Sequence, residues 1–244
     1  MQLFAGTSGY SYKEWRGPFY PEKLPAGEML RYYAQRLRTV EINNTFYRMP
    51  AESVLWQWSE EVPAGFAFAL KAPQRISHHK RLREAGQDIG EFLRRAAVLG
   101  AKLGPVLIQL PPQLRKDVPR LEAFLAELPS HPRFAFEFRH ESWLDDEVYQ
   151  ALRSRGAMLC IADTDTGDTP LVATSDRGYL RLRREQYSDD ELRAWVERIA
   201  AQPWSHAFVY FKHEDAGLGA KFALRFDELW REVTRRPSVP PLRG

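Results

Sequence analysis

Large apolar and small residues alternate in Phe66-Ala-Phe-Ala-Leu-Lys71 and again in Phe134-Ala-Phe-Glu-Phe-Arg139, and in both runs the charges fall on the small-residue positions. In a parallel strand covered on both faces, bulky side chains suit the helix side and small ones a tapering interior. Lys71, Glu137 and Arg139 are therefore expected to point into the lumen of a barrel, near the carboxyl ends of their strands, where barrel enzymes keep their chemistry.

Strand-like runs recur at Leu3–Thr7, Val40–Asn43, Ala67–Lys71, Val106–Leu110, Ala135–Arg139, Met158–Asp163, Tyr179–Arg183 and Phe208–Lys212. Helical periodicity follows at 28–38, 53–60, 90–100, 118–128, 146–155, 189–201 and 219–233. This alternation predicts an α/β fold, a single TIM-like (β/α)8 barrel over residues 1–235, with a frayed tail at 236–244 that carries Pro237, Pro240 and Pro241. The sixth unit is expected to be abbreviated, because Asp163-Thr-Asp-Thr-Gly-Asp-Thr-Pro170 reads as loop and Leu171-Val-Ala-Thr174 is too short for a helix. The connections at 11–27 and 72–88 are long, and long loops in compact domains are commonly functional.

The same side-chain parity extends to the other strands. Val40 and Ile42 suit the helix side, which turns Glu41 and Asn43 inward; Gln109 shares a face with Leu107, Asp163 with Leu159 and Ile161, and Arg181 with Tyr179 and Arg183. The expected interior thus sets Glu41, Glu137 and Asp163 against Lys71, Arg139 and Arg181. A balanced cluster is physically admissible, since opposite charges in contact offset much of the cost of burying each alone. It reads either as a structural ion-pair plug or as a ligand site, and its place at strand carboxyl ends favours the site. Glu41 and Glu137 are acid-base candidates if their surroundings push their pKa values apart. Lys71 reads as an electrostatic clamp, because adjacent carboxylates would raise the pKa that a carbonyl-attacking amine needs lowered.

Composition narrows the field of partners. The 244 residues include 44% hydrophobic ones, enough for a full core, and 35 basic against 32 acidic residues leave a net charge of only +3. Cys160 is the lone cysteine, which excludes an internal disulfide and argues against a thiolate zinc or iron-sulfur site within one chain. No run approaches membrane-spanning length and no secretory leader is recognisable, so the expectation is a cytoplasmic protein with no membrane partner. No cofactor is named by the sequence. Glu41, Glu137, Asp163 and His140 carry donors suited to a divalent metal, but neighbouring cations already neutralise the carboxylates.

The loop past the third strand holds Arg75, His78, His79, Lys80, Arg81 and Arg83, and Arg183 and Lys212 stand on the opposite rim. Such a lip attracts phosphate or carboxylate when it is more than a solvated charged loop. Tyr10, Tyr12, Trp15, Phe19 and Tyr20 in the first loop, with Phe46, Tyr47 and Trp143, suit either ring stacking on a ligand or the packing of loops over the barrel mouth.

The segments Gly6-Thr-Ser-Gly-Tyr-Ser-Tyr12, Val40-Glu-Ile-Asn-Asn-Thr-Phe-Tyr47, Phe68-Ala-Leu-Lys-Ala-Pro73, Gln109-Leu-Pro-Pro112 and Phe136-Glu-Phe-Arg-His-Glu-Ser-Trp143, in this order, closely resemble the YecE-like family, domain of unknown function 72. The resemblance spans nearly the whole chain and implies a TIM-like barrel of unsettled activity. The family pattern has His and Gly after the seventh strand and Phe-Asn-Asn after the eighth, where this chain has Arg181-Leu-Arg-Arg184 and Phe211-Lys-His213. These departures make the rim more basic. The family's barrels have been likened to metal-dependent endonuclease barrels, a likeness of fold alone.

The leading expectation is an enzyme, a hydrolase or lyase, acting on a small anionic, phosphorylated or nucleotide-like ligand. Glu41 and Glu137 would exchange protons, Lys71, Arg139 and Arg181 would hold the anion, and Tyr10, Asn43 and Gln109 would orient polar groups. The alternatives are a nucleic-acid binding or phosphodiester-cleaving protein with a basic aromatic rim, and a non-catalytic regulatory barrel.

Overall fold

The computed structural model describes residues 1–212 and 217–235. The expected tail at 236–244 and the departure at His213 lie outside the described residues. The strands are β1 (Gln2–Ser8), β2 (Thr39–Ile42), β3 (Ala67–Lys71), β4 (Leu103–Gln109), β5 (Phe134–Glu137), β6 (Met158–Thr164), β7 (Gly167–Asp168), β8 (Arg177–Leu182) and β9 (His206–Phe211). All but β7 pair in parallel in the order β5-β4-β3-β2-β1-β9-β8-β6, and a β5–β6 pairing closes the ring into an eight-stranded TIM-like barrel. Helices α1 (Met29–Ala34), α2 (Glu52–Glu61), α3 (Gly86–Ala96), α4 (Val118–Glu127), α5 (Asp146–Ser154), α6 (Asp189–Ala200) and α7 (Leu218–Arg235) surround it. The sixth unit is abbreviated as the sequence predicts: β7 folds back antiparallel on the end of β6, and no helix follows before β8.

Side-chain size sorts the two faces of the ring. Phe66, Phe68, Leu70, Phe134 and Phe136 join the core between strands and helices, whereas Ala67, Ala69 and Ala135 face the lumen. These alanines leave room for Phe4, Tyr179, Phe208 and Tyr210 from the opposite wall, so the lower barrel is filled by large residues against small ones. The long first loop spends its aromatics on packing. Trp15 and Tyr20 are buried, and Phe19 and Tyr20 meet Tyr32 of α1 edge-on, with centroids 5.9 and 5.5 Å away.

Helix entry follows local chemistry. Asp117 accepts the Arg120 N–H at the start of α4, and Ser188 with Glu191 forms a reciprocal capping box at the start of α6. The loop after β3 is unusual. It opens with a π-type turn over Arg75–His79 and then places Arg81, Leu82 and Glu84 at φ of 52, 70 and 47°. Left-handed backbone is costly for such residues, and it is held here by burial of Leu82 and a bond from its N–H to the Ile76 carbonyl at 2.9 Å.

Candidate functional site

Glu41, Lys71, Gln109, Glu137 and Arg181 each occupy one of the last two positions of β2, β3, β4, β5 and β8, so the barrel closure gathers them beneath one mouth. Arg181 is the tie. Its guanidinium donates through Nη1 to Glu137 Oε2 at 2.6 Å and through Nη2 to Glu41 Oε1 at 2.8 Å. Glu41 also accepts from Ser8 Oγ at 2.8 Å, Asn43 Nδ2 at 3.0 Å and Tyr179 OH at 2.7 Å. All three charged groups are buried; in this lower tier every carboxylate oxygen has a donor, while the Arg181 Nε–H has no acceptor among the described residues.

Above it lies a tier that is not saturated. Gln109 pairs in register with Glu137 on the next strand; its Nε2 donates to Glu137 Oε2 at 2.8 Å, and its Oε1 accepts from Lys71 Nζ at 2.9 Å. Lys71 Nζ also lies 4.1 Å from the centre of the Phe46 ring, and it has no carboxylate within ion-pair reach among the described residues. Arg139 donates Nε to Glu137 Oε1 at 3.1 Å, and its side chain is 41% exposed. The half-buried Arg183 guanidinium has neither hydrogen bond nor ion pair among the described residues. His78 stands edge-on to Phe46, centroids 4.9 Å apart, with Nδ1 sharing a proton with Ser77 Oγ at 2.9 Å.

The charge states follow from these contacts. Burial alone would raise the Glu137 carboxyl, but Arg181, Arg139 and the bonds from Gln109 and Arg181 hold it down at about 2. Burial likewise opposes ionisation of Glu41, and Arg181 with the Tyr179, Ser8 and Asn43 bonds again wins, so its pKa is lowered. Both carboxylates are thus ionised, which leaves neither with the raised pKa of a general acid. Lys71 moves the other way: burial, then the Arg181 charge, lower its ammonium to about 8 against the opposing pull of Glu137 and Glu41. Arg183 is lowered by burial and Arg181, and His78 by burial, Lys71 and Arg139.

Several residues expected in the chamber stand elsewhere. Asp163 belongs to the outer face of β6, where it accepts from Arg184 Nε at 2.6 Å, Trp195 Nε1 at 2.8 Å and Tyr187 OH at 3.0 Å beneath α6. Its neighbours Leu159 and Ile161 pack outward and Cys160 inward, so the large-out, small-in rule holds and the inward assignment of Asp163 fails. Tyr10 turns its ring to Tyr33 and Trp58 at 6.2 and 6.4 Å, between α1 and α2. Tyr12 instead lies over the β1 end, its OH donating to the Ser8 carbonyl at 2.7 Å. Gly9, at φ 88°, makes room for it, since a Cβ there would sit 2.0 Å from the Tyr12 OH. His140 uses Nδ1 to accept the Ser142 N–H at 3.1 Å as a cap, and exposed Arg75 pairs with Asp88 of α3. Lys212 follows the end of β9 on the rim, its N–H donating to the Leu182 carbonyl at 3.2 Å.

With Asp163 outside and His140 capping a turn, the donor set envisaged for a divalent metal is not assembled, and no group of three metal-ligating side chains occurs among the described residues. Ser8 and Tyr179 are partners of Glu41 that sequence reasoning did not assign. Parity contained the signal for both, because Ser8 follows Phe4 and Gly6 on the inner face and Tyr179 precedes Arg181 by two. No helix among the described residues is long and apolar enough to cross a membrane.

The model of the family described as "Protein of unknown function DUF72" matches residues 4–243. The UPF0759 protein YunF of Bacillus subtilis (strain 168) is 26% identical over 232 residues, covering 88% of this chain and 80% of that protein. The crystal structure of a DUF72 family protein from Thermotoga maritima MSB8 superposes with a TM-score of 0.84 at 28% identity, covering 94% of this chain and 99% of that one. A DUF72 family protein from Enterococcus faecalis V583 gives a TM-score of 0.80 at 20% identity over 94% of this chain and 96% of that one, a likeness of fold.

Proposed function

Since the chain belongs to the DUF72 family of proteins of unknown function, we propose its activity from the chamber itself: an enzyme acting on a small anion-bearing metabolite. The anion sits among Arg183, Arg139 and Lys71 at the barrel mouth. One observation carries this reading. Lys71, Arg139, Arg181 and Arg183 face only Glu41 and Glu137 among the described residues, a surplus of two positive charges. A structural plug has no use for that surplus, because one cation for each carboxylate would already balance Glu41 and Glu137, and each further cation raises the cost of burying the others. An incoming phosphate or carboxylate offsets it, with Arg183 supplying a planar fork suited to two parallel hydrogen bonds. Glu41 and Glu137 then serve as fixed anions that aim Arg181, Gln109 and Asn43, and no acid-base role falls to them.

Thermal melting with inorganic phosphate tests the proposal. Millimolar phosphate should raise the melting temperature more than the same ionic strength of chloride does, and Arg183→Gln should remove the difference while itself melting higher than the parent. A parent indifferent to phosphate, or an Arg183→Gln variant that melts lower and still responds, would overturn it. Binding to nucleic acid that weakens steeply with salt, with no response to phosphate, would favour the nucleic-acid reading instead.

A further inference from the structure

The unusual member of the chamber is Lys71. A half-buried lysine ordinarily finds a carboxylate, and two lie in this chamber, yet Arg181 and Arg139 occupy their oxygens. The ammonium is left to an amide oxygen, Gln109 Oε1 at 2.9 Å, and to the face of Phe46 at 4.1 Å. The charged groups acting on it from the surrounding elements are Arg181 of β8, Glu137 and Arg139 at the end of β5, and Glu41 of β2, with His78 in the loop beyond β3. We infer that Lys71 is a nucleophile that forms an imine with an aldehyde or ketone whose phosphate or carboxylate is held by Arg183 and Arg139. This deepens the proposed function and rests on it for the anion.

The chemistry balances without any redox partner. The neutral amine adds its lone pair to the carbonyl carbon as the C=O π bond breaks; the oxygen takes a proton, giving a carbinolamine. Loss of that oxygen as water and of the remaining N–H proton leaves the C=N bond. An amine needs a depressed pKa for this near neutrality, and burial among cations supplies it, as the lowering of Lys71 to about 8 indicates. Neither Glu41 nor Glu137 reverses it, because each is held by a guanidinium. The arrangement also selects its substrate: a carbonyl compound without an anion would meet the surplus charge with nothing to offer it. Gln109 is the positioning residue, since its amide fixes where Nζ stands between Phe46 and Glu137.

Borohydride trapping tests this on the intact chain. Dihydroxyacetone phosphate and pyruvate serve as anionic probes and hydroxyacetone as the neutral one, with the site of the reduced adduct read by peptide mass spectrometry. The expected result is a secondary amine on Lys71, at least about tenfold more abundant with an anionic probe, depleted in Arg183→Gln and absent in Lys71→Arg. Absence of a Lys71 adduct in a parent whose melting still responds to phosphate would overturn the imine and leave the anion site standing. Labelling spread evenly over surface lysines would overturn it too. Equal labelling of Lys71 by charged and neutral probes, with no response to phosphate, would keep the nucleophile and overturn the anionic substrate class.

Discussion

Lys71 and Glu137 lie in one chamber without touching: the Gln109 amide stands between them, accepting from the ammonium at 2.9 Å and donating to the carboxylate at 2.8 Å. Reversing the amide would set its NH2 against an ammonium and its oxygen against a carboxylate, so the two charges fix one orientation. The insulation matters because a direct ion pair would lock Lys71 in its charged form.

Replacing that amide by a carboxylate should therefore undo the amine. In Gln109→Glu the new side chain pairs with Lys71, and its charge should raise the Lys71 pKa from about 8 by about one to two units. Reductive methylation with labelled formaldehyde, followed by a carbon NMR titration, reads this directly. The parent resonance should titrate near 8 and the variant's well above it. Imine trapping should fall in step.

Arg181 is the group on which two buried carboxylates depend. Arg181→Met leaves Glu41 without a cation and Glu137 with the part-exposed Arg139 alone, and removing one partner of a buried pair typically costs about 3–5 kcal/mol. Denaturant unfolding should show a loss of that order. Adding Glu41→Gln and Glu137→Gln to the same variant should recover much of it, since the cost lies in the stranded charges rather than in lost volume.

Acid should weaken the fold in a defined window. The Glu137 carboxyl titrates at about 2 in the folded chain against an ordinary value of 4.5, so the unfolded chain binds its proton first. The stabilisation is therefore complete above pH 4.5, on the order of 3 kcal/mol, and is lost as pH falls toward 2. Unfolding midpoints measured across this range should decline steeply in the parent. Glu137→Gln, which cannot titrate, should show a shallower decline.

Much of this barrel was written in the alternation of large and small residues. Ala67, Ala69 and Ala135 marked the inner face of β3 and β5, and through it the inward positions of Lys71 and Glu137. The same rule, applied to Leu159, Cys160, Ile161 and Ala162, would have turned Asp163 outward; its charge drew it inward on paper. That error made the cluster look balanced; with Asp163 outside and Arg183 counted in the chamber rather than on the rim, four cations stand against two carboxylates. Which cation takes which carboxylate was not legible at all, because it depends on the reach of Arg181 across the lumen from β8 to β2 and β5. The isolation of Lys71 was hidden for the same reason. The fate of Tyr10 was hidden by its loop, where no strand parity applies.

Asp163 offers the complementary prediction, a charged residue whose loss should harm the fold and spare the chamber. It gathers three donors from two places, Arg184 and Tyr187 from the segment after β8 and Trp195 from α6, so it fastens that helix to the end of β6. In Asp163→Ala the Trp195 N–H and Tyr187 hydroxyl lose their acceptor, and each stranded buried donor costs about 1–3 kcal/mol. Unfolding free energy should drop by at least that much. The Asp163 carboxylate bonds to none of Lys71, Arg139 and Arg183, and the 2.8 Å bond from the Arg183 N–H goes to its backbone carbonyl, which the substitution keeps, so the phosphate-induced rise in melting temperature and the labelling of Lys71 should persist in the folded fraction. Loss of both at temperatures where circular dichroism shows the variant intact would place Asp163 back in the chamber's chemistry and contradict the two-face division of β6.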